Sequence, residues 1–245
     1  MFASNQLRIL APCCFLIFQG TVLAEDPPES GFFDDYSRLE PAAAPWADFV
    51  YISDSYATEM ASIQAIIIPQ PELFLAPDSK YKGMKPDSMK VITDSMQQLF
   101  EEAFVGGYQI AYSPGPNTMT LRMAFSNLYL KKKPRIPVVG WLPHVYVLTS
   151  AKRKIRDEFT DNILLTELVW EAELTDSQTG EILGQIIVKL GERNDKKEFT
   201  SWDELVVAMA VGAERLRCRF DNAPLLAPQQ RDCFEITEAD IDFGD

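Results

Sequence analysis

The chain has 245 residues, with 23 Lys and Arg against 36 Asp and Glu, for a formal net charge of −13 at pH 7. An acidic chain repels nucleic-acid phosphates, so a nucleic-acid partner is not expected. Beyond the first apolar stretch no run approaches the roughly 20 apolar residues that a spanning helix needs, so nothing downstream is expected to cross a membrane.

Residues 1–24 carry the pattern of a secretory signal: an early cation at Arg8, an apolar run from Ile9 to Phe18, and modest residues at Val22-Leu23-Ala24. Cleavage after Ala24 leaves a periplasmic protein. Pro12, Gln19 and Gly20 interrupt the run, which argues against a retained membrane anchor. Cys13 and Cys14 raise the alternative of an outer-membrane lipoprotein, but Pro12 stands where a lipidation signal wants a small residue. Removal of the leader takes away one cation and no acid, so the mature chain is more acidic still.

Residues 25–60 mix Pro, Ala, acids and scattered aromatics without a period, and read as an irregular arm packing its aromatics on the domain. A domain over 61–222 follows. The run Ile63 to Ile68, closed by Pro69 and Pro71, reads as a strand. Pro86-Asp87-Ser88 opens a helix with Asp87 or Ser88 as its N-cap, and Met89, Ile92, Met96, Leu99, Phe100, Ala103 and Phe104 form one apolar stripe. Gly106-Gly107 ends it. A strand at 108–112 and a turn at Pro114-Gly115-Pro116-Asn117 come next. Met119, Leu121, Met123 and Phe125 then alternate with Thr120, Arg122, Ala124 and Ser126, as in a half-buried strand.

The clearest pattern is a hairpin of 163–174 and 182–190. Leu164, Leu168, Trp170, Ala172 and Leu174 share one face; Glu167, Glu171 and Glu173 share the other. On the second strand Ile182, Gly184, Ile186, Val188 and Leu190 lie together. Asp176-Ser177-Gln178-Thr179-Gly180 supplies the turn, with Gly180 able to adopt the left-handed conformation of a bulged loop. Ser201-Trp202-Asp203-Glu204 is a capping box, and Leu205, Met209, Gly212, Ala213, Leu216 and Phe220 mark the buried stripe of a last helix. Residues 223–245 form an acidic tail, expected to be disordered or loosely docked. The order predicts an α+β domain: a single, mostly antiparallel sheet with two helices packed on one face.

Several of these stretches resemble a known family. Ser30-Gly31-Phe32 with Asp35-Tyr36-Ser37 and Leu39, then Glu173-Leu174-Thr175-Asp176-Ser177-Gln178-Thr179-Gly180-Glu181 and Trp202 with the last helix, are similar to domain-of-unknown-function family 3313, whose members are described as bacterial lipoproteins. The resemblance spans about residues 30 to 222. It implies a Gram-negative envelope location and no established activity, and it transfers no functional residue. The chain departs from the family in lacking a lipidation signal.

Candidate chemistry is sparse. His144 is the only histidine, and neither a nucleophile nor a carboxylate stands beside it in sequence. One His and two mature cysteines do not make a zinc site, and no metal or other cofactor is expected. Asp240 and Asp242 lack the loop spacing and glycine of a calcium hand. Cys218 and Cys233, in an oxidising compartment, are a plausible disulfide that would pin the tail to the last helix. Glu167, Glu171 and Glu173 repeat at about 7 Å along a strand, which overlaps glycosidase carboxylate spacings. A solvated sheet face is the expected reading; a periplasmic hydrolase is the alternative.

The sharpest charge asymmetry lies over 131–156. Lys131, Lys132, Lys133, Arg135, Lys152, Arg153, Lys154 and Arg156 occur there without one acid, and they flank an apolar stretch containing Trp141 and Tyr146. Cations for head groups and aromatics for the interface suit an anionic membrane surface, or an acidic envelope protein. The expected function is therefore a non-enzymatic periplasmic protein that binds a partner or a membrane surface through this basic apolar segment. A small-ligand carrier or a purely structural module is a further alternative, favoured if a closed apolar pocket lies between sheet and helices.

Overall fold

The computed structural model describes residues 26–43, 46–77, 86–132, 163–166, 168–190, 198–199 and 202–241. In chain order the strands are β1 (Glu40–Pro41), β2 (Phe49–Ile52), β3 (Ala65–Ile67), β4 (Glu72–Leu75), β5 (Gln109–Ile110), β6 (Thr118–Lys132), β7 (Ile163–Thr166), β8 (Val169–Asp176), β9 (Ile182–Lys189) and β10 (Glu198–Phe199). Three α-helices occur among the described residues: α1 (Tyr56–Met60), α2 (Pro86–Phe104) and α3 (Trp202–Asn222).

The β8–β9 hairpin forms where the sequence places it. Asp176 makes its turn: the carboxyl oxygen Oδ1 accepts from the Gln178 and Thr179 amides at 3.0 and 2.7 Å and from the Thr179 hydroxyl at 2.8 Å. Gly180 sits at φ 73°, the left-handed conformation that favours glycine. These bonds to the Thr179 backbone and side chain, and to Gln178, hold the Asp176 carboxyl below its ordinary value.

The sheet runs β1-β2-β9-β8-β6-β3-β5, and β6 is its spine. Along one edge β6 pairs antiparallel with β8 and β7 in a single register, from Met119↔Asp176 to Lys132↔Ile163. Along the other it pairs parallel with β3 near its start and with β4 further on. The sheet is therefore mixed rather than mostly antiparallel. Parallel neighbours need a crossover, and α2 provides it between β3 and the adjacent parallel β5. Asn127, at φ 53°, breaks the pleat of β6, so Phe125 and Leu128 both reach the main core although three apart.

Other expectations shift too. The stretch expected to be irregular contributes β1, β2 and α1, because β2 takes up the open edge of β9. Helix α2 starts at Pro86 itself, so Asp87 and Ser88 stand in its first turn rather than at the cap; proline suits that position because its missing N–H would be unpaired anyway. On β9 a bulge beside Leu174 sends Leu183, not Ile182, into the core.

Both faces of the sheet are covered. Helices α2 and α3 pack on one face over Met119, Leu121, Met123, Leu168, Trp170, Ala172, Leu174, Ile186 and Val188. Phe100 lies tilted against Trp170 at 5.5 Å, and Phe104 meets Phe220 edge-on at 5.4 Å. The other face, where solvent is expected, carries a second core: Ala124, Val169, Ile187 and Phe49 beneath Phe32, Phe33, Tyr36 and Leu39 of the arm.

The acidic tail is docked rather than loose over its described residues. Cys218 and Cys233 have sulfurs at bonding distance and α-carbons 5.8 Å apart. Arg215 donates to the carbonyls of Phe234 and Ile236 at 3.1 and 2.8 Å, and Asn222 exchanges two bonds with the Arg231 backbone. A bridge across 15 residues is worth about 3 kcal/mol through unfolded-state entropy. Replacing both cysteines with Ser should lower denaturant stability by about that amount. It should also speed amide exchange in 227–241 while α2 and β8 keep their protection.

Candidate functional site

The strand-borne acids are not a solvated face. Glu171 is 0% exposed and Glu173 is 5% exposed, with Gln185 beside them at 1%. Alternation puts them opposite the apolar face, as expected, but the arm lies over them. Burying carboxyl groups this deeply is costly unless each oxygen has a partner, and each has one. Glu171 Oε2 accepts from the Tyr36 hydroxyl at 2.9 Å, and Oε1 accepts a short bond from the Ser126 hydroxyl. Glu173 Oε1 accepts from Arg122 at 3.0 Å, and Oε2 from the Gln185 amide at 2.8 Å. Arg122 also reaches Glu72 at 3.2 Å and stacks on the Phe32 ring at 4.9 Å. Glu167 lies outside the described residues.

Tyr36 is the centre of the arm's attachment. Its hydroxyl oxygen accepts from the amides of Ser30 and Phe32 at 3.2 and 3.1 Å while its O–H donates to Glu171. Gly31, at φ 89°, allows the chain to fold around that oxygen. Burial pushes the phenol above its ordinary value, the Ser30 and Phe33 bonds opposing and Glu171 adding to the rise. The acids thus serve as an anchor for the arm; with every oxygen engaged, they present no carboxyl to a substrate.

The basic candidates lie mostly elsewhere. Lys131 and Lys132 end β6, paired with Leu164 and Ile163 of β7. Lys133, Arg135, Trp141, Tyr146, Lys152, Arg153, Lys154 and Arg156 lie outside the described residues, as do His144, Asp242 and the leader. Asp240 is spent on its own turn, accepting from the Thr237 amide and hydroxyl at 2.8 and 2.9 Å. Among the described residues no group of three or more His, Cys, Asp or Glu could hold a metal ion.

A half-open pocket lies where sequence patterning gave no signal, between the sheet and α3. Its floor is Leu121 of β6, Ala172 and Leu174 of β8, and Gly184 and Ile186 of β9. Leu216, Arg219 and Phe220 of α3 form a wall, and Trp46, Ile52 and Tyr56 the rim. Its volume is about 390 Å³ including the open mouth. The Arg219 guanidinium lies 4.8 Å from the Trp46 ring and 5.6 Å from the Phe234 ring of the docked tail. Burial drives the Tyr56 phenol far above its ordinary value, with the charge of Arg219 opposing. The pocket was missed because its parts come from six separated elements and the loop at Trp46; the one local sign is Gly184, a glycine in the middle of a β-strand.

Comparison with known proteins identifies a family. The family model described as "Protein of unknown function (DUF3313)" matches residues 28–216. The chain belongs to the DUF3313 family. The match begins inside the arm and runs into α3, so DUF3313 encompasses the Tyr36–Glu171 anchor. Among solved structures, the chain is similar to a neuraminyllactose-binding hemagglutinin homolog from Helicobacter pylori, with 8% identity, a TM-score of 0.30, and 68% of this chain and 84% of that one covered. It is also similar to a Xanthomonas campestris protein matching the DUF330 family model, with 13% identity, a TM-score of 0.27, and 68% and 86% covered. A comparison with curated proteins gives no match.

Two outcomes test the anchor. Tyr36→Phe removes a buried bond to a carboxyl and should cost about 2 kcal/mol of stability, read by urea denaturation, with 28–39 losing protection from exchange. The raised phenol also sets a sign: its stabilisation is present below the ordinary tyrosine value of about 10 and is lost as pH rises through the higher folded value. Between pH 9 and 12 the wild type should therefore lose more stability than Tyr36→Phe, the remaining loss coming from Tyr56 and Tyr108, which are also raised by burial.

Proposed function

We propose that this chain is a non-enzymatic cell-envelope protein, exported by a leader removed after Ala24, that presents residues 131–156 to an anionic membrane surface. The observation that carries this reading is the end of the central ladder. Lys132 of β6 is paired directly with Ile163 of β7, so the segment between them leaves and re-enters the sheet at one point. The bonded cysteine pair supports an oxidising compartment. The full engagement of Glu171 and Glu173 speaks against the hydrolase alternative.

The test is co-sedimentation with phosphatidylcholine vesicles, with and without phosphatidylglycerol. The wild type should bind the anionic vesicles and release as salt rises. Replacing Lys131, Lys132, Lys133, Lys152, Arg153 and Lys154 with Ser should weaken binding more than about a hundredfold, at about 1 kcal/mol per cation near the surface. Unchanged binding would remove the segment as the site. If the wild type ignores anionic vesicles but crosslinks through this segment to an acidic envelope protein, the surface is a protein-docking one instead.

A further inference from the structure

Several strands have an edge that no other described strand covers, and those edges are not alike. β1 carries Glu40 and Pro41, β4 carries Glu72 and β10 carries Glu198. A charge or a proline on an open edge discourages another strand from adding to it. β5, at the end of the sheet, has neither: it consists of Gln109 and Ile110, and from Ala103 to Leu121 the chain contains no Asp, Glu, Lys or Arg. Pro114 and Pro116 stand beyond the strand. Two large apolar side chains flank it in water, Val105 at 66% and Tyr112 at 84% exposure. The α3 charges that approach Gly107, on Arg217 and Asp221, pair with each other at 3.5 Å.

The backbone of β5 is half used. The Gln109 and Ala111 amides donate to the Gln64 and Ile66 carbonyls at 2.9 Å, toward β3. Successive backbone groups point to opposite sides of a strand, so Ile110 turns its N–H and C=O outward, where no described strand pairs with it. These groups are self-complementary. With a second copy antiparallel to the first, Ile110 opposite Ile110 exchanges two bonds, and each Tyr112 amide meets the Tyr108 carbonyl of the other copy. Charge decides the occupant. The chain carries −13, and pairing β1, β4 or β10 with its own copy would set acids along one seam, where like charges repel. Among the described edges, β5 alone can meet itself without that repulsion.

We propose that β5 is a contact between two copies of this chain, joined antiparallel about Ile110 so that their sheets become continuous, with Val105 and Tyr112 supplying the apolar contact beside the seam. The contact is separate from residues 131–156, and either reading can fail while the other stands.

Sedimentation equilibrium of the whole protein over a range of concentrations tests this. A seam this short belongs at the low end of specific interfaces, so a dimer that dissociates on dilution is expected. Gln109 is exposed, and its two copies would be diagonal neighbours on one face, about 7 Å apart. Gln109→Lys and Gln109→Glu should therefore each weaken the dimer at least about threefold. A one-to-one mixture of the two variants should form a mixed dimer about tenfold tighter than either variant forms with itself; mixing would not rescue a loss caused by misfolding. The proposal is overturned if the wild type stays monomeric, if either variant dimerises as the wild type does, or if the mixture associates no more tightly than its components. A monomer that crosslinks to another envelope protein through a photoreactive group at position 112 also overturns it, and gives the edge to a foreign strand. It is equally overturned if the Lys-to-Ser segment variant loses the dimer while the Gln109 variants keep it, because the basic segment is then the contact.

Discussion

A carboxyl group on the middle strand of a sheet, with no exposure to water, is tolerable only if protein atoms replace its hydration. Glu171 is in that position, and the replacement comes from Ser126 on the neighbouring strand and from Tyr36 about 135 residues earlier in the chain. That pairing makes the N-terminal arm part of the fold. Without Tyr36 the face of β6, β8 and β9 would carry two acids and a glutamine beside Ala124, Val169 and Ile187, and it would suit neither solvent nor core. With it, Phe32, Phe33 and Leu39 cover the apolar part while Arg122 and Gln185 satisfy Glu173.

The two faces of the sheet carry different kinds of polar group, fully buried acids on one and the half-buried Arg219 on the other. Every carboxyl oxygen of Glu171 and Glu173 is matched, which gives the arm one register on the sheet and no freedom to slide. Arg219, on the opposite face, is held between two aromatic rings at the edge of an apolar space. The first set is closed on itself and reads as architecture. The second borders the pocket beneath Trp46.

The tail ties these together. The Cys218–Cys233 pair, with Arg215 gripping two carbonyls, brings Phe234 against Arg219. A segment whose composition alone suggests a solvated appendage thus helps form the surroundings of the pocket mouth. The acids there are used locally: Asp240 closes its own turn and Asp232 bonds the Phe234 amide.

Local chemistry in the sequence determined the β8–β9 hairpin, because Asp176 and Gly180 make that turn without help from the rest of the chain. It also determined the apolar stripes of α2 and α3, whose side chains recur at the helical period, and the likeness to DUF3313, carried by the arm and the hairpin. Only the tertiary structure decided what covered the acids. Strand alternation reports that Glu171 and Glu173 lie opposite the main core, but it is blind to what comes from 135 residues away to cover them. Parallel pairing of β3 and β4 with β6 was equally hidden, since short strands state no direction. Apart from Gly184 in mid-strand, the pocket follows no local pattern: it exists because β2, α1, β6, β8, β9 and α3 converge, and convergence is a property of the folded chain.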